Sequence, residues 1–219
     1  MISRNYLNVI ILNLGVLCLS DNISKIADPS TIGLASFGIG LFCLAFVVAG
    51  LVGPAAMAVI IPLALAVAVV HFFAGTFGYI KGELFTALAF NVYGLFWLTF
   101  GIMQFGVAMK WFAPDASILL VFYLAWTIFT FYVFLATLAT CTAVILAIGT
   151  LLIVFALLTL SIFLSAPILG VYAGYLGIYT ALNALYISAG GLLNTMYGRT
   201  VLPMGTPWAS PVSSKNLQA

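Results

Sequence analysis

Residues 55–80 read AAMAVIIPLALAVAVVHFFAGTFGYI, an apolar run that contains no Lys, Arg, Asp or Glu and a single imidazole, His71. About 20 such residues are enough for a helix to cross the hydrocarbon core of a bilayer. The rest of the chain has the same character, because 65% of its residues are hydrophobic and only 5% are charged. A soluble domain carries about a quarter charged residues. The sequence therefore predicts an integral membrane protein.

The length of the apolar runs decides between the two architectures that lipid permits. Inside a bilayer, backbone N–H and C=O groups must form hydrogen bonds with one another, and only helical bundles and closed β-barrels allow this. Barrel strands alternate apolar and polar residues over about ten positions, and this chain has unbroken apolar runs instead. We predict an all-α membrane protein with a six-transmembrane-helix bundle. The predicted spans are residues 32–52, 55–80, 84–109, 116–138, 142–164, and a last span from Ser165-Ala-Pro167 to near Gly190 or Tyr197.

The chain divides into three parts around this bundle. Residues 28–205 form the predicted transmembrane transport domain, between an N-terminal extension (residues 1–27) and a C-terminal tail (residues 206–219). The segment from Arg199 to Ala219, which contains Pro and Ser, is expected to be loosely ordered. Residues 6–19 are apolar and follow Arg4. That pattern is compatible with an interfacial helix, an uncleaved or unstructured extension, or a cleaved signal peptide.

The positions of the Lys and Arg residues favour one orientation in the membrane. With the N-terminus in the cytoplasm, only Lys110 falls on the outer side. Cytoplasmic loops carry an excess of positive charge, so both termini are predicted to be cytoplasmic, in a cell (inner) membrane. The charges are scattered singly and form no basic patch, so nucleic acid is not a predicted partner. The residues assigned to the inner side are Arg4, Lys25, Lys81, Arg199 and Lys215.

Few side chains in this sequence could carry out a reaction. One His and four Asp or Glu residues are present, and the sequence lacks the Gly-x-Ser-x-Gly and His-Glu-x-x-His motifs. A lone His is not a metal site. We therefore predict no enzymatic activity, no metal and no cofactor. Of the function classes considered, a transporter or channel for a small solute is the one that remains.

Among Asp, Glu, Lys, Arg and His, His71 is the only residue that lies deep in a predicted span. Ala64, Ala68, Ala74 and Gly75 lie near it at helical spacing, on a small-residue face where helices approach closely. One interpretation is a structural hydrogen bond across that contact. The other is proton coupling, because imidazole titrates near neutral pH.

Three further spans carry polar-capable side chains at helical spacing. Tyr93 lies at mid-span in the third helix, where it could narrow a passage or simply pack. Thr130 belongs to a hydroxyl stripe on the fourth helix, although such hydroxyls often bond their own backbone. On the sixth helix, Tyr179 and Asn183 belong to a stripe that would face the bundle interior, a pore or another subunit. Thr130, Tyr179 and Asn183 are the candidates for a substrate path.

The segment Asp28-Pro-Ser-Thr-Ile-Gly-Leu34 resembles the Asn-Pro-Ala-Pro-Leu-Gly-Leu signature of the acetate uptake transporter family. That family includes bacterial succinate–acetate permeases and fungal acetate and ammonia-export proteins. Asp28, Pro29, Gly33 and Leu34 occupy the matching signature positions. The resemblance extends over residues 28–205 through Ser36-Phe-Gly38, Phe73-Ala-Gly75, Lys81-Gly82, Ala89-Phe90, Tyr93-Gly94, Phe96-Trp97 and Gly198-Arg-Thr-Val-Leu-Pro203.

The resemblance implies a homo-hexamer in the lipid bilayer, with one pore per protomer. It implies transport of acetate and, in some members, succinate or other short monocarboxylates, by a channel or by a carrier coupled to protons. The family's apolar and aromatic pore constriction corresponds here to Phe37, Tyr93 and Leu151.

Departures from the family pattern leave other functions open. Asp28 replaces the signature Asn and Thr31 its second Pro, and several polar positions of the family are apolar here. Fewer polar anchors favour acetate over the dianion succinate. An ammonium or other small-solute pore is one alternative. A structural or signalling membrane protein without transport is the other.

Overall fold

The protein is described by a computed structural model that covers residues 26–209. Within that range the chain forms six long helices, each long and apolar enough to cross a membrane. This confirms the prediction of a six-helix membrane bundle, and the last helix takes the longer of the two predicted ends. The helices are α1 (Pro29–Val48), α2 (Met57–Lys81, preceded by a 3-10 turn at Pro54–Ala56), α3 (Leu84–Ala108), α4 (Ala116–Thr137), α5 (Thr142–Phe163) and α6 (Pro167–Tyr197).

Local sequence signals set the ends of several helices. Asp115 caps α4, because its carboxylate accepts hydrogen bonds from the Ser117 backbone N–H at 2.7 Å and the Ile118 N–H at 3.1 Å. The hydrogen bond from the Ser117 hydroxyl, together with these amides, lowers the pKa of the Asp115 carboxyl. Gly82 and Gly198 end α2 and α6 with φ of 73° and 62°, which side chains with a Cβ rarely adopt.

The helices pack in a closed ring. α1 lies between α2 and α6, α3 packs on α2, α5 packs on α6, and α4 packs on α5. α3 and α4 meet through long aromatic side chains, with ring centroids 5.1 Å apart for Tyr93 and Phe129 and 5.9 Å apart for Phe96 and Phe122. This arrangement turns one face each of α1, α3 and α5 toward a common interior.

Hydroxyl groups hold neighbouring helices together inside this apolar bundle. The Thr180 hydroxyl of α6 donates to Thr150 of α5 at 2.9 Å. The hydroxyls of Thr127 and Thr159 lie 3.0 Å apart between α4 and α5. Such bonds average about 0.6 kcal/mol in membrane proteins and reach about 1.7, so they orient the helices rather than dominate their stability.

The segment after α6 is bonded to the ends of the helices. We call residues 201–209 the C-terminal strap. Its Met204 carbonyl accepts from the Ala143 N–H at 2.9 Å, and its Thr206 carbonyl accepts from the Thr142 hydroxyl at 2.7 Å. Farther along, the Trp208 N–H donates to the Leu138 carbonyl at 3.1 Å. The expected loose order of the segment is therefore wrong for residues 201–209, because backbone and hydroxyl groups at the α4–α5 turn and the start of α5 bind the strap. The expectations for residues 1–25 and 210–219 lie outside the described residues.

Close packing of α1 on α6 depends on a glycine. A Cβ at Gly174 would overlap the backbone of Ala49 at the end of α1. Four residues earlier on the same helix, a Cβ at Gly170 would meet only the Ser161 hydroxyl, at an ordinary 3.4 Å.

We expect Gly174→Ala to lower the free energy of unfolding by about 1–3 kcal/mol, because overpacking forces the two backbones apart. Gly170→Ala is the matched control and should change it by less than about 0.5 kcal/mol. Thermal unfolding of the purified variants in detergent measures both. Equal stabilities would mean that α1 and α6 do not approach each other as described.

Candidate functional site

Two cavities lie inside the bundle, one toward each end. The first has a volume of about 390 Å³ and lies among the N-terminal ends of α1, α3 and α5 and the C-terminal end of α6. The second, about 50 Å³, lies among the C-terminal halves of α1 and α5, the middle of α3 and the N-terminal half of α6. Together they follow the long direction of the helices.

One cluster of three side chains separates the two cavities. Phe37, Tyr93 and Leu151 line both cavities, and no other lining residue is shared between them. The three are 9%, 5% and 3% exposed, and the rings of Phe37 and Tyr93 lie 6.4 Å apart between centroids. We call these residues the triad. The structure thus brings together, from α1, α3 and α5, the residues that the family resemblance assigned to a constriction. Their role in transport remains a prediction.

Tyr93 is held in place by a fully buried partner on α4. Its hydroxyl donates to the Thr130 hydroxyl at 3.1 Å, and its ring meets Phe129 edge to face, with centroids 5.1 Å apart. Thr130 itself lines neither cavity. It therefore fixes the orientation of Tyr93, and its place on a substrate path stays a prediction.

The first cavity has mostly apolar walls, with hydroxyl groups and helix N-termini among them. Three helices begin at it, and a helix N-terminus carries a partial positive charge and free N–H groups. Among its described lining residues there is no Lys or Arg, and the one carboxylate is Asp28, which caps α1 by accepting from the Ser30 N–H at 2.8 Å. The hydroxyl residues in the lining are Ser30, Thr31, Thr86, Thr140 and Thr195, and the lining also includes Asn194.

The C-terminal strap forms part of the wall of the first cavity. Met204 contributes to the lining, and its side chain occupies the space beside Gly190, where a Cβ would overlap it. Asn194 fixes the strap by accepting from the N–H groups of Val201 and Leu202 at 2.6 Å and 2.9 Å. Neither contact follows from the apolar pattern of the sequence.

His71 lies beside the triad but lines neither cavity. Its side chain is 1% exposed. Nδ1 lies 2.9 Å from the Val67 carbonyl, which can only accept, so Nδ1 carries the proton. The Ser36 hydroxyl of α1 is 3.3 Å from the same nitrogen, and the imidazole packs against Phe90 with centroids 5.3 Å apart. These contacts favour the structural interpretation of His71.

The tyrosines of the α6 stripe face outward, which agrees with the alternative of a neighbouring subunit rather than the bundle interior. Tyr179 is 49% exposed on the outer face of the helix, and it lines neither cavity. Neither cavity supports its placement on the substrate path, which stays a prediction. Tyr179 faces outward because α6 turns its small residues, such as Gly177 and Ala181, toward α1. Asn183 donates to the Ala143 carbonyl at 3.2 Å and links α6 to α5, away from both cavities.

The fold and its two cavities define a multi-pass membrane protein with a solute-sized interior interrupted at one point. The chain belongs to the GPR1/FUN34/yaaH family, whose sequence pattern matches residues 13–206. It is 33% identical over 186 residues to the succinate-acetate/proton symporter SatP of Escherichia coli (strain K12), covering 83% of this chain and 97% of that protein.

Two further comparisons agree with this membership. The solved structure of the bacterial acetate channel SatP superposes with a TM-score of 0.79 at 30% identity and covers 83% of this chain and 100% of that chain. An uncharacterized protein of Methanothermobacter thermautotrophicus is 28% identical over 187 residues, covering 82% of this chain and 91% of that protein. The named relatives are transporters or channels and not enzymes.

Removing the acceptor of the Tyr93 hydroxyl should destabilise the protein. We expect Thr130→Val to lower the free energy of unfolding by about 1 kcal/mol or more, because a buried donor is left without a partner. Tyr93→Phe combined with Thr130→Val should be less harmful than the sum of the single changes, since no unpaired group remains. Unfolding in detergent measures this double-mutant cycle. Strict additivity would mean that the two hydroxyls do not interact.

Proposed function

We propose that this protein transports acetate across the cell membrane, through its own interior, from one cavity past the triad to the other. The observation that carries the proposal is the sharing of Phe37, Tyr93 and Leu151 by both cavity linings. A solute that moves along the helices must pass these side chains. The named relatives, a succinate-acetate/proton symporter and an acetate channel, support acetate as the solute.

The electrostatics of the first cavity favour a small monoanion. Burying a carboxylate without partners costs several kcal/mol, and the lining supplies helix N-termini and hydroxyls instead of Lys or Arg. An apolar triad then limits leakage, because narrow hydrophobic sections exclude water. Succinate would bring a second charge to the same small set of partners. We therefore propose acetate, rather than succinate, as the preferred substrate.

The proposal includes two ways of dealing with the negative charge. Acetate could pass as an anion that is stabilised by dipoles and hydroxyls, or together with a proton as a neutral acid. One relative is named a proton symporter and the other a channel, so both modes are represented among them.

Uptake of labelled acetate into proteoliposomes tests the proposed function. Near pH 7.5 nearly all acetate is ionised, which lowers leakage of the neutral acid, and protein-free liposomes measure the leakage that remains. We expect acetate uptake above this background. An increase with an inward proton gradient would indicate symport, and a response to membrane potential alone would indicate a channel. Uptake of methylammonium without acetate would instead identify an ammonium pore, and uptake of neither would contradict transport.

We further propose residues 28–205 as the transport domain, with both termini cytoplasmic in the inner membrane, and a homo-hexamer as the assembly. The half-exposed tyrosines on the outer face of α6, Tyr172, Tyr175 and Tyr179, support a protein neighbour there. Their hydroxyls would lack hydrogen-bond partners against lipid tails. Native mass spectrometry in detergent should give the hexamer mass, and a monomer alone would contradict the assembly.

The size of Leu151 should determine the size of the solute. We expect Leu151→Ala to admit lactate, because shortening one wall of an apolar constriction relaxes selection by size. Leu152→Ala is the matched control, since Leu152 lines neither cavity. Competition of lactate with labelled acetate, and direct lactate uptake, measure the change. If lactate remains excluded by a folded Leu151→Ala protein, Leu151 does not limit the passage.

His71→Gln should preserve the response of acetate flux to pH. Gln retains hydrogen-bonding capacity across the α1–α2 contact but removes the titratable imidazole. His71→Leu should instead lower the free energy of unfolding, by roughly 0.6–2 kcal/mol. Flux against external pH and unfolding in detergent measure the two effects. Loss of proton dependence in a normally expressed His71→Gln protein would place His71 on a proton pathway.

A further inference from the structure

A single carboxylate lies in the wall of the first cavity. Asp28 lines this cavity together with Ser30 and Thr31, and none of its described lining residues is a Lys or Arg. Asp28 is exposed, and its carboxylate is fixed at the start of α1 by the hydrogen bond from the Ser30 N–H at 2.8 Å. A full negative charge is therefore held beside the space that the proposed solute enters.

The other charged residues described at this end of the bundle lie outside the lining of the cavity. Lys81 and Glu83 form an ion pair at 2.8 Å. Arg199 is exposed beyond the end of α6. None of the three lines the first cavity. Asp28 is therefore the only formally charged residue among the described residues that line it.

The field of Asp28 reaches a solute anywhere in the first cavity. A sphere of about 390 Å³ would be about 9 Å across, which is less than the Debye length of about 10 Å in 0.1 M salt. Low-dielectric walls focus the field of a charge into the space between them, and the walls of this cavity are mostly apolar. The charge of Asp28 therefore acts on an anion in the cavity without direct contact.

We propose that Asp28 is a specificity-determining residue, whose charge lets monocarboxylates enter the first cavity and disfavours dicarboxylates. This inference rests on the proposed function and assigns its substrate selectivity to one residue. The N-termini of α1, α3 and α5 attract anions, and a dianion would feel about twice the attraction of a monoanion. Asp28 opposes this attraction in the same proportion. The greater cost of dehydrating two carboxylates then decides against the diacid.

The electrostatic potential of the first cavity can be measured at a native residue. Cys141 belongs to the lining of this cavity, and the protein for this experiment keeps it as the only cysteine. In detergent, its rate of reaction is compared for an anionic sulfonatoethyl and a cationic trimethylammonioethyl methanethiosulfonate reagent. Both reagents react with the same thiolate. The ratio of the two rates therefore reports the potential of the cavity rather than the reactivity of the thiol.

Asp28→Asn removes the charge and keeps the helix cap, because Asn caps a helix as well as Asp does. We expect the ratio of the anionic rate to the cationic rate to rise about tenfold at low ionic strength. Each rate should change about threefold, in opposite directions, as for unit charges about 6 Å apart in water. In about 1 M salt, where the Debye length is about 3 Å, most of the difference between the wild type and Asp28→Asn should disappear.

Asp115→Asn is the matched control for the loss of charge. Asp115 caps α4 in the same way, at the opposite end of the bundle, and lines neither cavity. It lies a whole helix length from the first cavity, which is several Debye lengths at 0.1 M salt, so the ratio should change by less than about twofold. If Asp28→Asn does not fold, Asp28→Ser replaces it, because Ser also caps helices.

Transport kinetics test the same charge with the solutes themselves. Labelled acetate uptake is measured near pH 7.5 with succinate as the competitor, since both carboxylates of succinate are then mostly ionised. Asp28→Asn should lower the half-saturating acetate concentration about threefold and the inhibitory succinate concentration about tenfold, because the repulsion grows with the charge of the solute. Asp115→Asn should change neither by more than about twofold.

The two experiments separate this inference from the proposed function. An unchanged ratio of reagent rates in a folded Asp28→Asn protein would overturn the inference alone. Equal changes for acetate and succinate, or a variant that succinate does not inhibit, would also overturn it. Absence of acetate uptake by the wild type would overturn the proposed function, even where the Cys141 rates show the expected effect of the charge.

Discussion

The contact of Phe37, Tyr93 and Leu151 interrupts the interior of the bundle, and the other features of the site depend on it. The three side chains come from α1, α3 and α5, so their meeting depends on how closely the helices pack. Glycines set that closeness, as Gly174 does against Ala49. The hydrogen bond from the Tyr93 hydroxyl to Thr130 then fixes the orientation of the Tyr93 side chain.

The polar groups are distributed unequally on the two sides of this contact. On one side, three helix N-termini and several hydroxyls surround a cavity of about 390 Å³, which suits a hydrated anion that is losing its water. On the other side, a cavity of about 50 Å³ has almost entirely apolar walls. A carboxylate that crossed the triad would therefore lose its hydroxyl partners, a cost that passage as the neutral acid would remove.

The sequence alone predicts the spans well and the orientation of their faces poorly. Long apolar runs and the breaks at Gly53-Pro54 and Lys81-Gly82-Glu83 locate the helices, because a chain in lipid must hydrogen-bond its own backbone groups. Lipid-facing and buried faces are both apolar, however, so periodicity does not tell inside from outside. The sequence therefore left open whether the α6 stripe with Tyr179 faces the interior or a neighbouring subunit. Tyr93 was singled out by its mid-span position, but Phe37 and Leu151 were found only by family resemblance.

Sided cysteine labelling tests most directly whether the two cavities are opposite halves of one interrupted path. One protein would retain only Cys141, which lines the first cavity; another would lack all native cysteines and carry Leu158→Cys in the second. Both are treated in oriented proteoliposomes with a small, membrane-impermeant thiol reagent. We expect Cys141 to react from one side, the cysteine at position 158 to react from the other, and acetate to slow both reactions. Reaction of both from the same side, or rates that acetate leaves unchanged, would contradict a transport path divided by the triad.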